Sequence, residues 1–266
     1  MPVLSEGNGG SLGESDVKKP RKGEITLLKR TSFTLVIIIA LALVLSPAVF
    51  AFDYAGAEAL IESEEVPKIQ DAIKRLETQL QKNPKDGEAL WLIAKAYLYL
   101  GDRIEENKLE TFETGKEYAD AAVEFLPASP HPHFWQASLM GRIGQTRGIL
   151  SSLFMVKPMK EALDKALELD AAYADAHWVL SQLYHQAPGF PLSIGNKKLA
   201  LEHAEKSIEL DPGNLEYQLQ LAVALEYNGR KNEAVQVLDD LLANPALREH
   251  PELKAEAEGY RAKWSK

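Results

Sequence analysis

The sequence predicts an all-α protein: a solenoid of about four to five helix pairs, with insertions and a C-terminal capping helix. Three observations carry that prediction. A skeleton of small and apolar residues recurs four times in phase. Each recurrence closes on a proline or an equivalent turn, as in "LDP" at 210–212. After the last one comes an amphipathic stretch, "PELKAEAEGYRAKWSK", suited to covering the open end of a stack.

Taken in order, Ala72, Leu76 and Pro84 mark the second helix of a partial first unit. Ile93-Ala94, Tyr97 and Gly101 lead to Ala119, Ala122 and Pro127. Gln136-Ala137, Met140 and Gly144 lead to Leu163, Ala166 and the turn "LELDA" at 167–171. Leu180-Ser181, Tyr184 and Gly195 lead to Ala200, Ala204, Ser207 and Pro212. Leu221-Ala222, Leu225 and Gly229 lead to Ala234, Leu238, Leu241 and Pro245. In each unit a small residue lets a first helix (A) meet a second (B), and proline ends B before the next unit.

At these residues the chain resembles the tetratricopeptide repeat (TPR), whose unit is about 34 residues. The phase points Ala94, Ala137, Ser181 and Ala222 are 43, 44 and 41 residues apart. Three units therefore carry insertions of about 9, 10 and 7 residues over that unit, and the last carries none. The segments "HFWQASLMGRIGQTRGILSSLFMVKPMKEALDKALELD" and "HWVLSQLYHQAPGFPLSIGNKKLALEHAEKSIELDP" resemble the regulator of microtubule dynamics (RMD)-like family and its bacterial relatives. A weaker similarity, at Gly195 to Leu201, is to TPR proteins associated with TRAP-type transporters, whose lipid-anchor cysteine is absent here. The RMD-like resemblance covers about residues 60–260 and implies a TPR α-solenoid; the solenoid domain is read as residues 57–266.

Charge and composition exclude several functions. Of 30 basic and 39 acidic residues, the first 51 residues hold six and four, so the body is more acidic than the formal net charge of −9. Such a body repels phosphate backbones, and no nucleic-acid partner is expected. The chain has no cysteine, which excludes disulfides, thiol catalysis and thiolate metal sites. His177 and His185 lie eight apart, and no HExxH or P-loop motif occurs. No catalytic residue, metal site or cofactor is expected.

The amino terminus carries an address. Residues 1–31 read as a disordered basic region, and 32–51 as a signal peptide or membrane anchor. Lys29 and Arg30 precede an apolar run from Phe33 to Leu45, and "SPAVFA" follows. The basic flank stays cytoplasmic, so the body is expected in the periplasm or another extracytoplasmic space. It would be soluble after cleavage near Ala51 or anchored to the membrane by residues 33–52.

Helix-A positions 2, 5, 9 and 12 of such arrays face the concave groove. Position 5 holds Trp91, Phe134, Trp178 and Leu219, and Tyr184 and His185 close the A helix of the fourth unit. These residues are the candidate partner- or ligand-binding set: an aromatic ladder gripping an amphipathic peptide or a small apolar ligand. The alternative is that the insertions fold into the groove and cover the rings. The insertion at Ile149–Val156 is expected to be buried on the inner curve. The loop "HQAPGFPLSIGN" is expected to be stiff and non-helical, either a binding lip or a connector. The expected function is a non-catalytic scaffold or adaptor for an envelope protein or peptide. The alternative is a small-molecule or lipid-binding accessory protein of a transport system.

Overall fold

The computed structural model describes residues 51–264. The predicted disordered region and the signal or anchor segment up to residue 50 lie outside the described residues. The unit that begins at Phe52 holds all of the described helices.

Eleven α-helices and one short 3-10 helix make up the described residues. They fall into five pairs: α1 (Tyr54–Glu62) with α2 (Val66–Lys82), α3 (Gly87–Arg103) with α4 (Lys108–Phe125), α5 (Pro130–Arg147) with α6 (Ile149–Leu169), α7 (Ala174–Gln186) with α8 (Lys197–Leu210), and α9 (Leu215–Tyr227) with α10 (Lys231–Ala243). The 3-10 turn Pro245–Glu249 leads into the capping helix α11 (Pro251–Trp264). Each helix packs chiefly on its sequence neighbours, as a solenoid requires.

The repeating skeleton is the seam of the fold. Ala94, Ala137, Ser181 and Ala222 are fully buried on α3, α5, α7 and α9. So are the paired B-helix residues Ala119, Ala122, Leu163, Ala166, Ala200, Ala204, Ala234 and Leu238. The alanines and Ser181 let backbones approach until the larger residues beside them, Leu163 and Leu238 included, interlock. Ser181 keeps its hydroxyl satisfied in that dry contact, donating to the Ala200 carbonyl at 2.8 Å and accepting from Gln220 Nε2 at 2.8 Å. The cap is closed by Ala257 and Trp264, both buried, with Tyr260 stacked on Trp264 at 5.0 Å.

The insertions are absorbed in two ways. In the second pair they lengthen the helices: α3 and α4 have 17 and 18 residues, against 13 each in α9 and α10. In the fourth pair they form the irregular connection 187–196. Its base is tied by Asn196 N donating to the Tyr184 carbonyl at 3.0 Å and Gly195 N to the Pro188 carbonyl at 2.9 Å.

The third pair departs from expectation. The apolar insertion does not plug the inner curve; it forms the first two turns of α6, a 21-residue B helix. Ile149 is 88% exposed and Phe154 79%, and burial begins only at Val156. The physical reason is the tight link: α6 starts after the single residue Gly148, so its first turns lie along the end of α5, where a Cβ on Gly144 would sit 3.0 Å from the Ser152 backbone, and their other face is left uncovered.

Glycine matters sharply at two places. Gly229, with φ +80°, makes the α9–α10 turn, a conformation that costs other residues strain. Gly101 lies inside α3, where a Cβ would sit 2.3 Å from the Phe112 ring. Gly101→Leu is expected to destabilise the protein by about 2–3 kcal/mol through overpacking. Gly229→Ala is expected to cost about 1 kcal/mol. Thermal melts of the two variants check both values and their order.

Candidate functional site

The A helices form the inner layer. Asp175 on α7 lies within electrostatic reach of Tyr99 on α3, and Glu216 on α9 within reach of Arg142 on α5 and of Glu64 in the α1–α2 turn. Side chains two pairs apart in sequence sense one another only if the A layer lines the concave side.

Three of the four turns between pairs are pinned from the next A helix by a side chain six residues on. His133 Nε2 contacts the Pro127 carbonyl at 3.1 Å, His177 Nε2 the Ala171 carbonyl at 3.2 Å, and Gln218 Nε2 donates to the Pro212 carbonyl at 3.0 Å. A carbonyl only accepts, so both histidines carry their proton on Nε2 there. The three residues share helix-A position 4, so this clamp recurs in phase with the repeat. In the second pair the equivalent side chain is Leu90, and the turn is held by Asp86 instead. Asp86 accepts from Tyr54 Oη at 2.6 Å, Gln79 Nε2 at 2.8 Å and Ala89 N at 3.1 Å. Burial works against its charge, yet these donors hold the carboxyl below its ordinary range. The Tyr54 phenol is pushed up to about 12, by burial first and then by Asp86.

Position 5 is the second recurring device. Trp91 stacks on His131 with centroids 4.7 Å apart, Phe134 packs on Tyr173 at 5.0 Å, and Trp178 on Tyr217 at 6.0 Å. Each ring thus meets a ring of the following pair. Trp91 and Phe134 are buried, as is Leu219, and the rings are covered by the next repeat rather than by the insertions. Trp178 stays half-buried. Tyr184 and His185 stand apart from the row: Tyr184 is buried against His203 at 5.7 Å, and His185 packs edge-on to Tyr227 at 4.9 Å.

What the groove presents lies between these rungs. Lys95 is buried, with its ammonium 2.6 Å from Glu58 and 2.7 Å from Glu62 on α1. It lies over the Tyr99 and Trp135 rings at 5.9 and 5.6 Å. Burial pulls against its charge, and the two carboxylates prevail and hold it protonated. Arg142 donates to Asp102 at 2.8 Å, and Arg103 pairs with Glu64 while covering Tyr99. Farther along, Tyr217 Oη donates to Asp175. The Glu216 side chain reaches solvent, yet the crowded groove pushes its carboxyl upward; Arg142 pulls it back down, and Asp175 and Glu64 push it up. Burial, then the Asp175 and Glu58 charges, push the Tyr173 phenol far above its ordinary value. Three cations face Glu58, Glu62, Glu64, Asp102, Asp175 and Glu216, so the groove is acidic with aromatic walls. The indole Nε1 atoms of Trp135 and Trp178 are buried without an acceptor.

Sequence spacing found the residues of the A helices but missed these partners. His131, Tyr173 and Tyr217 lie 39–40 residues downstream of the rings they cover, but they stand three, five and two residues ahead of the next position 5, so the phase count does not single them out. Among the described residues, no group of three or more metal-ligating side chains converges, and no helix is long and apolar enough to cross a membrane. The arrangement offers shape, charge and aromatic surface.

Residues 54–187 match the family model for regulator of microtubule dynamics protein 1-3. The chain is 31% identical to mouse regulator of microtubule dynamics protein 3 over 155 residues, which cover 53% of this chain and 33% of that protein. It is 30% identical to protein 1 of the same name from Pongo abelii over 174 residues, 59% of this chain and 53% of that one. The chain thus spans about a third to a half of these relatives. A thermophilic TPR protein from Thermus thermophilus superposes with a TM-score of 0.56 at 17% identity, over 77% of this chain and 95% of that one. That likeness concerns the fold.

Four histidines packed against the A helices, His131, His177, His185 and His203, give a pH prediction. His177 Nδ1 lies 2.9 Å from His203 Nδ1, and with the His177 proton on Nε2 it is His203 that donates. Burial, then the His177 charge, push His203 down to about 4; burial also lowers His131, His177 and His185. The unfolded chain therefore binds more protons than the folded one, so the stability these groups contribute is full above their ordinary value near 6.5. It is lost as pH falls toward 4. The melting temperature is expected to drop through that window, less steeply in His203→Gln. Calorimetry across the pH series checks it.

Proposed function

We propose, on the premise that this chain belongs to the regulator of microtubule dynamics protein 1-3 family, that it is a non-catalytic TPR adaptor holding a protein or peptide segment in its concave groove. The observation that carries this reading is the inner surface itself. It combines aromatic walls, charges held by partners within the fold, and a stack of paired helices that fixes both in place. Rigid aromatic and charged side chains on a curved scaffold suit recognition, since little conformational entropy is lost on binding. A catalytic role would need a nucleophile or acid–base pair converging on one point, and the groove residues instead spread along the stack.

The contact set follows from the geometry. Trp178, half-buried and followed by Gln182 one turn on, offers ring and amide to a partner, and Glu216 and Asp175 offer acceptors beside it. Trp91, Phe134 and Leu219 contribute by fixing the spacing of the walls. An address in the cell envelope is supported by the basic flank and apolar run at residues 29–52. The protein partner would then be an envelope component.

Trp178→Ala separates binding from folding. The ring is only half covered, so its removal is expected to lower stability by about 1–2 kcal/mol while strongly reducing capture of a partner cross-linked to the tagged chain in intact cells. Mass spectrometry of the cross-linked material reads the loss. Unchanged capture, or collapse of the fold, would count against the groove.

A further inference from the structure

Six large apolar side chains are exposed among the described residues, and all six fall in two consecutive A–B connections. Ile149, Leu150, Leu153 and Phe154 occupy the first two turns of α6, and Phe190 and Leu192 the loop before α8. Phe190 is 92% exposed. Because α5 and α7 are both A helices, their C-terminal ends, and hence both connections, lie at the same edge of the stack. Lys160 of α6 faces the Tyr184 hydroxyl at the base of the loop, which brings the two connections together.

The charge pattern around them is unlike the rest of the molecule. In a chain with 39 acidic residues, none occurs between Glu124 and Glu161, and none between Asp175 and Glu202. The same two stretches hold Arg142, Arg147, Lys157, Lys160, Lys197 and Lys198. The acids that border them are engaged with those cations: Glu113 pairs with Arg147, Glu161 with Lys157 at 3.8 Å, Asp164 with Lys160, and Glu202 with Lys198 at 3.2 Å. The side chains of Lys157 and Lys198 are 85% and 84% exposed.

We infer that this edge is a docking surface for an anionic lipid bilayer. The exposed rings and aliphatic chains form two protrusions rather than a groove, a shape that enters an interface more readily than it receives a helix or strand. Apolar protrusions flanked by exposed lysines, on stretches that hold no acid of their own, match the acyl–headgroup boundary of a charged membrane. Lys157 and Lys198 then exchange their solvent-exposed carboxylate partners for lipid phosphates, while Phe154 and Phe190 lie below them. The inference is independent of what the concave groove binds.

The cysteine-free chain makes a direct test available. Single substitutions Phe154→Cys, Phe190→Cys and, at the opposite edge, Gly213→Cys are labelled with an environment-sensitive fluorophore in the full-length protein. Each is mixed with phosphatidylcholine vesicles with or without about a third phosphatidylserine. Because each label reports its own depth, attachment through residues 33–52 does not mimic the result. Labels at 154 and 190 are expected to shift to an apolar environment and be quenched by bilayer-embedded quenchers, only on anionic vesicles; the label at 213 should not change. Lys157→Glu with Lys198→Glu should weaken the response about tenfold or more. The inference is overturned if the labels stay aqueous on vesicle-bound protein or respond equally to neutral lipid. It is likewise overturned if they become buried on raising protein concentration without vesicles, which would assign the edge to a second copy of the chain. Circular dichroism melts, and a Leu150→Cys duplicate, guard against a misfolded variant.

Discussion

Close approach of two helices at side chains no larger than alanine or serine is the constraint on which the rest of this structure depends. Ala94, Ala137, Ser181 and Ala222 have no solvent exposure, and their B-helix counterparts are equally dry. Once those backbones are in contact, the larger residues around them have fixed neighbours, and each pair presents its next face at a set angle. Ser181 shows how little freedom the site allows: a single hydroxyl is admitted only because Ala200 and Gln220 both hydrogen-bond to it.

Coupling between pairs is a separate matter, and here it is mostly polar and aromatic. The position-4 side chains clamp the preceding turn, and the position-5 rings rest on the following pair. Both devices sit on the A helices, so the inner wall that offers binding surface is also what holds the stack in register. The α6–α7 junction is the thinnest between successive pairs, and Tyr173, just ahead of α7, fills it by packing on Phe134 and hydrogen-bonding with His131 at 3.1 Å. Curvature at that junction, and hence the width of the groove, rests on few side chains.

Much of the fold was legible in the sequence because the seam is written in small residues at fixed spacing, and the phase points Ala94, Ala137, Ser181 and Ala222 are all buried, although Tyr97, Gln136 and Leu221 beside them are only partly so. The site was legible by half. Position 5 of each A helix was identified, but what covers Trp91 and Phe134 comes from 39–40 residues downstream, and a helical period within one segment carries no information on that distance. The same limit explains α6. Its apolar turns read as core because amphipathic spacing says which face is apolar; it does not say where the neighbouring helices end. Only the three-dimensional stack reveals that Ile149 to Phe154 rest on the end of α5 alone and leave their apolar side chains exposed. The acidic groove was not legible either, since its carboxylates, Glu58 and Glu62, Asp102, and Glu216, come from three different helices.

The central claim is that recognition happens on the A-helix side. Its most direct test is site-resolved photo-crosslinking from the intact chain in cells, with a photoreactive residue at Gln182 or Glu216 on the inner wall and at Glu202 or Gln236 on the exposed B helices. Adducts to one discrete protein from the two inner positions, and none from the outer pair, are the predicted result. Equal labelling from both sides, or adducts from the outer positions alone, would contradict it.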